Sequence, residues 1–232
     1  MGVLMSSISE FYITNKYIFG HISMRLSWHQ GERIDIVIIS ENEDKDFVYN
    51  LIDNYFNNII DAYPSSASVT IPYGSFIWMR YPNNSIVWNA FDLPPYYLDS
   101  SDSCSFTMRT SLLIADLYDA DSSYEENVLN ISIFLIVKMI KRSSFGLINK
   151  YDDVRDVGNN ENCLDIIKSY WEFEETDENL ILWLEHIEKV YKKEGIKGVH
   201  FLISIIFSQL DLSGSQKKHI FYLLDFSRKM IQ

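Results

Sequence analysis

The stretch IADLYDADSSYEEN, residues 114–127, sets Asp116, Asp119, Asp121, Glu125 and Glu126 within a few turns of chain. Carboxylates this close can ligate a metal, exchange protons with a substrate, or present negative charge to a cationic partner. A calcium loop of the EF-hand kind wants acids at alternate positions, a glycine for the sharp turn and a glutamate at the loop's end. Here the aspartates are spaced by three and then by two, and no glycine follows them. A two-metal hydrolytic site would want a lysine or histidine beside the carboxylates, and none adjoins this stretch. Two readings remain strongest. One is a hydrated loop leading into a helix whose first turn welcomes Glu125 and Glu126. The other is a partner-facing patch, to which Tyr96, Tyr97, Asp99 and Asp102 just upstream add the aromatic and acidic mixture common at specific interfaces.

Other reactive constellations are lacking. The histidines, His21, His29, His186, His200 and His219, form no H-x-x-x-H or H-E-x-x-H pair. His200 falls within an apolar stretch and reads as a core histidine. G-x-S-x-G, the phosphate-binding G-x-x-x-x-G-K-[ST] and G-x-G-x-x-G are absent, and nine glycines leave little for a phosphate cradle. Cys104 lies between two serines with no cation beside it to lower its pKa, and Cys163 is distant. These residues give no catalytic, metal or cofactor assignment. The enzymatic alternative is a metal-dependent one using Asp116, Asp119 and Asp121 as ligands or acids.

Charge narrows the partner. The 232 residues carry 20 Lys and Arg against 32 Asp and Glu, a formal charge of −12. Binding to nucleic acid or to anionic lipid rests on cations meeting phosphates, so neither is expected. A basic protein partner is permitted. Residues 92–127 hold eight acids against Arg109, and residues 152–187 hold eleven against Arg155 and Lys168. Residues 188–232 reverse the balance, with eight Lys and Arg against four acids. The longest apolar run, VLNISIFLIVKMI at 128–140, is too short to span a bilayer. Two distant cysteines and no secretory leader point to a cytoplasmic protein.

The elements that must position these groups follow from periodicity. FYITNKYIFGHISMRLSW (11–28) reads as β, HQGER as a turn and IDIVIIS (34–40) as a strand. Phe47, Leu51, Ile52, Tyr55, Ile59 and Ile60 recur at helical spacing, with Pro64 ending the helix. SVTIPYGSFIWMRY and SIVWNAF, joined through Pro82-Asn83-Asn84, read as an aromatic hairpin in which Trp78 or Trp88 could anchor a partner. FTMRTSLLIADLY (106–118) reads as a further strand, and 128–140 is ambiguous because Ile and Val dominate it. Thr176 is expected to cap a helix with the stripe Leu180, Trp183, Leu184, Ile187, Val190 and Tyr191, which Gly195 stops. VHFLISIIFSQL (199–210) should be the central buried helix, and Ser213 with Gln216 a capping box for the last helix, 214–230.

The expected fold is therefore α+β: an N-terminal antiparallel sheet with one packed helix (1–147), then a helical portion (160–232), with the polar segment 148–162 between them in one compact unit. The expected function is that of a non-enzymatic acidic protein that neutralises a basic partner. Its concrete form is an immunity protein against a bacterial toxin, often a nuclease. An anti-defence protein that imitates nucleic acid would use the same physics. The residues expected to meet the partner are Trp78, Tyr96, Tyr97, Asp99, Asp102, Asp116, Asp119, Asp121, Glu125 and Glu126.

Overall fold

The computed structural model describes residues 2–19, 21–27, 33–39, 44–64, 84–88, 101–143 and 161–231. The fold is α+β, with a two-stranded antiparallel sheet near the N-terminus and a helical C-terminal portion. The chain forms two compact units, Met1–Ala120 and Asp121–Gln232.

The first unit opens with α1 (Gly2–Asn15), where a strand was expected from residue 11. Met5, Ile8 and Phe11 recur at helical spacing and are all buried. The Phe11 ring then meets Phe19, Tyr55 and Phe56 at centroid distances of 5.6, 4.9 and 5.2 Å. That aromatic packing outweighs the β preference of Phe, Tyr, Ile and Thr. Strand β1 (His21–Ser27) begins only after this turn and pairs with β2 (Arg33–Ile39) in a register running from His21 opposite Ile39 to Ser27 opposite Arg33.

Helix α2 (Lys45–Ala62) starts at Asp44, whose carboxylate accepts the Phe47 N–H at 3.0 Å. Val48, Ile52 and Phe56 are its buried residues. Phe47, expected in that stripe, is instead 45 % exposed, because the buried face is centred one residue later. The Tyr63 N–H closes the helix on the Ile59 carbonyl before Pro64.

Helix α3 (Ser101–Leu117) replaces the strand expected at 106–118. Thr107, Thr110 and Ser111 each donate a hydroxyl to the carbonyl four residues back at 2.8 Å. Those buried hydroxyls are thereby satisfied inside the helix, and Phe106, Leu113 and Ile114 fill the apolar positions around them. Ser111 Oγ also accepts the Met24 N–H at 2.8 Å, so α3 covers the outer edge of β1. Of the expected hairpin, residues 65–83 and 89–100 lie outside the described residues. Asn84 takes φ 52°, a turn conformation that Asn tolerates.

The second unit is built round α4 (Tyr124–Ser143), which resolves the ambiguity at 128–140 in favour of helix. Every residue from Ile131 to Met139 is buried. Helices α5 (Glu161–Glu172), α6 (Glu178–Glu194), α7 (Ile196–Gln209) and α8 (Gly214–Ile231) all pack against it. The central helix is thus α4, not 199–210 as the composition suggested. In α7 the face carrying His200, Phe201 and Ser204 is exposed, which also corrects the expected core position of His200. Asp177, one residue beyond the expected Thr176, caps α6 by accepting the Leu180 N–H at 2.8 Å. Ser213 and Gln216 form the expected capping box of α8.

Lys138 lies in the buried stretch of α4 with no exposed surface. Its ammonium donates to the Phe173 carbonyl at 2.6 Å, sits 3.7 Å from the Glu175 carboxylate and lies over the Phe134 and Phe173 rings. Burial, then the charge of Lys141, holds its pKa below the usual lysine range, and Glu175 opposes the shift.

A single residue, Gly195, joins α6 to α7 at φ 65° and ψ −150°, a conformation open essentially to glycine alone. Nothing lies within 4 Å of where its Cβ would stand. At Gly198, by contrast, a Cβ would sit 2.6 Å from Val190 Cγ1, so the two helices touch through the missing side chain.

Two stability predictions follow from these positions. Gly195→Ala should destabilise the protein by about 1–3 kcal/mol through backbone strain alone, read from denaturant melts with an unchanged slope. The second concerns His21, whose pKa burial lowers from 6.5 to about 4. The unfolded chain then binds more protons between pH 6.5 and 4, so stability is full above that window and falls as pH drops through it. His21→Asn should flatten this part of the profile, removing a dependence of up to about 3 kcal/mol.

Candidate functional site

The structure divides the acidic stretch between the two units. Asp116 and Asp119 belong to the first; Asp121, Glu125 and Glu126 belong to the second. All five side chains are exposed. Their surroundings differ in a way the spacing did not reveal.

Glu125 and Glu126 stand in the first turn of α4, where the helix dipole favours acids. Glu126 also completes a capping box: its carboxylate accepts from the Ser123 N–H and hydroxyl at 2.9 Å each, while Ser123 Oγ accepts the Glu126 N–H at 3.2 Å. Helix stability accounts for both residues. Asp116 occupies the opposite situation. It lies in the last turn of α3, which carries no basic residue, so the dipole opposes its charge. Helix formation gives no reason for an acid there.

Asp116 lines a shallow groove of about 430 Å³ with Ser6, Ser9, Glu10, Ile13, Thr14 and Tyr118. The groove runs between α1 and the end of α3, and its two ionisable acids give it negative character. Asp102 falls in the first turn of α3. Trp78, Tyr96, Tyr97 and Asp99 lie outside the described residues. Among the described residues, no three His, Cys, Asp or Glu side chains assemble as a metal ligand set. Burial pushes the Cys104 thiol up, which disfavours the thiolate a nucleophile needs.

A second charged surface joins the end of α4 to α6. Arg142 pairs with Glu188 at 2.8 Å, and Lys192 pairs with the same carboxylate from one helical turn away. The hydrogen bond and charge of Lys192, then the charge of Arg142, lower the Glu188 pKa. Lys189 and Lys193 line the same surface with Glu185, so three of the eight basic residues of 188–232 meet here.

The feature that sequence reading singled out least is on α2. Residues 46, 49, 50, 53 and 57 form one side of the helix, whose Tyr49 edge borders the buried stripe of Val48, Ile52 and Phe56. Tyr49 and Asp53 stand one turn apart on it, and Trp88 comes over them from the segment 84–88. The Trp88 indole N–H donates to Asp53 Oδ1 at 2.8 Å, and its ring meets Tyr49 edge-on with centroids 4.4 Å apart. Both aromatic rings remain 43 % exposed. The four-residue spacing of Tyr49 and Asp53 was readable from the sequence; the arrival of Trp88 was not.

Comparison with protein-family models, with curated proteins and with solved structures returns no match. Among the described residues, no helix is long and apolar enough to cross a membrane.

The capping box makes a direct prediction. Ser123→Ala and Glu126→Ala should each destabilise the second unit by about 0.5–2 kcal/mol, whereas Asp116→Asn should leave stability unchanged or slightly raised. Thermal melts of the three variants measure this. A stabilising role for Asp116 would place it with the helix-forming acids.

Proposed function

We propose that the chain is a non-enzymatic acidic protein that binds a basic protein partner and neutralises it by covering its working surface. Its concrete form is a cytoplasmic immunity protein against a bacterial toxin of the nuclease type. A nuclease surface is positive because it meets phosphates, and a surface rich in carboxylates competes for it with electrostatically steered association. The net charge of −12 favours such a partner over nucleic acid or anionic lipid. The observation that carries the reading is Asp116: an exposed carboxylate at the end of a helix whose dipole disfavours it, sharing an acidic groove with Glu10.

The decisive experiment is co-expression with the product of the neighbouring reading frame when that product carries a toxic C-terminal domain. The expected result is restored growth and a purified complex whose affinity falls about tenfold or more between roughly 50 and 200 mM salt. Continued toxicity, or a complex indifferent to salt, overturns the proposal.

A further inference from the structure

We infer that the Tyr49–Asp53–Trp88 face of α2 is a docking surface for an arginine-bearing segment of a protein partner. The inference rests on the reading above, that the partner is basic, and it assigns the contact to residues that the acidic stretch at 114–127 does not include.

Burial is the first reason. An amphipathic helix buries one face and leaves the other polar, and α2 does so with Val48, Ile52 and Phe56 inside. Tyr49 stands at the border of that buried stripe, with 43 % of its surface left open. Trp88 packs against it there rather than within the core. Two large rings that lean on each other outside the core, each with 43 % of its surface open, keep apolar area in water that a partner would cover. Trp and Tyr are also the residues that most often carry the energy of a protein interface.

Charge names the occupant. From residue 44 to residue 62 the chain holds Asp44, Asp46, Asp53 and Asp61 against Lys45. Asp46 and Asp53 share one side of the helix with Tyr49. Asp53 uses one oxygen to accept the Trp88 N–H at 2.8 Å, and that bond holds the indole beside the carboxylate. A carboxylate has acceptor capacity for several donors, so Asp53 can take a further one while it positions Trp88. A guanidinium fits this combination best. Its planar face stacks on an aromatic ring and its edge donates paired hydrogen bonds to a carboxylate. An ammonium would gain the charge contact without the stacking. The rings are also held before binding, which lowers the ordering cost of association.

The probe is a capped nona-arginine peptide, with capped nona-lysine as the charge-matched control. Each is titrated calorimetrically into the full chain at low ionic strength. Nona-arginine should bind several-fold more tightly than nona-lysine. Trp88→Ala and Asp53→Asn should each weaken it about tenfold, more than Asp116→Asn with Asp119→Asn does, while Asp165→Asn, an exposed acid of the second unit, should change it less than about twofold. Trp88→Phe, which keeps a ring and removes the N–H, guards against a folding artefact. It should lose part of the affinity while its circular dichroism and melting temperature match the parent. Undiminished binding by Trp88→Ala and Asp53→Asn overturns the assignment of this face. If the Asp116 and Asp119 pair alone carries the loss, the face is wrong while a basic partner stands. Equal affinity for the two peptides overturns the guanidinium assignment. Binding of neither peptide at low salt overturns both this inference and the basic-partner reading beneath it.

Discussion

Burying nine consecutive residues of one helix is the constraint around which the second unit is built. A helix with no polar face from Ile131 to Met139 must be enclosed on every side, and α5, α6, α7 and α8 supply the enclosure. The same constraint makes Lys138 costly, since its ammonium is in that enclosed stretch. The solution is local. The chain leaving α5 turns so that the Phe173 carbonyl and the Glu175 carboxylate reach the amine, with two phenylalanine rings beside it. Lys138 therefore ties the course of residues 173–175 to the central helix, and a polar group in the core specifies a connection between helices.

Several elements were legible because their signals are local. The capping box at Ser213, the stop at Pro64 and the stripe of α6 each depend on residues within a few positions of one another. What misled was β propensity. Phe11 to Asn15 and the stretch 106–118 carry residues that favour strands, yet both are helical. In the first case distant aromatic rings decide; in the second, the burial of Phe106, Leu113 and Ile114 and the bond from the Met24 N–H to Ser111 do. Both causes involve the folded environment, which a window of sequence does not contain. The cap of α6 moved by one residue because Asp177 and Thr176 are chemically equivalent candidates, and only geometry chooses between them.

The acidic stretch shows the same limit at the level of function. Proximity along the chain placed five carboxylates together, but helix ends sort them: Glu125 and Glu126 stabilise the start of α4, while Asp116 works against the end of α3. The aromatic and acidic pairing expected from Tyr96, Tyr97 and Asp99 falls outside the described residues. A pairing of the same chemical kind occurs on α2 instead, through a tryptophan 35 residues from its carboxylate partner. On the second unit, Arg142, Lys189, Lys192 and Lys193 line a surface together with Glu185 and Glu188, so that unit presents a mixed-charge patch.

The one-residue junction at Gly195 limits how such a chain could change its length. Each added or removed residue turns a helix by about 100°, which would swing Leu202, Ile205 and Ile206 out of the interior with no loop to absorb the rotation. Gly198 tightens this further, because only the present phase puts its bare Cα beside Val190. Insertions should therefore be excluded between Glu194 and Ile196, and a chain of this architecture would diverge there by substitution alone.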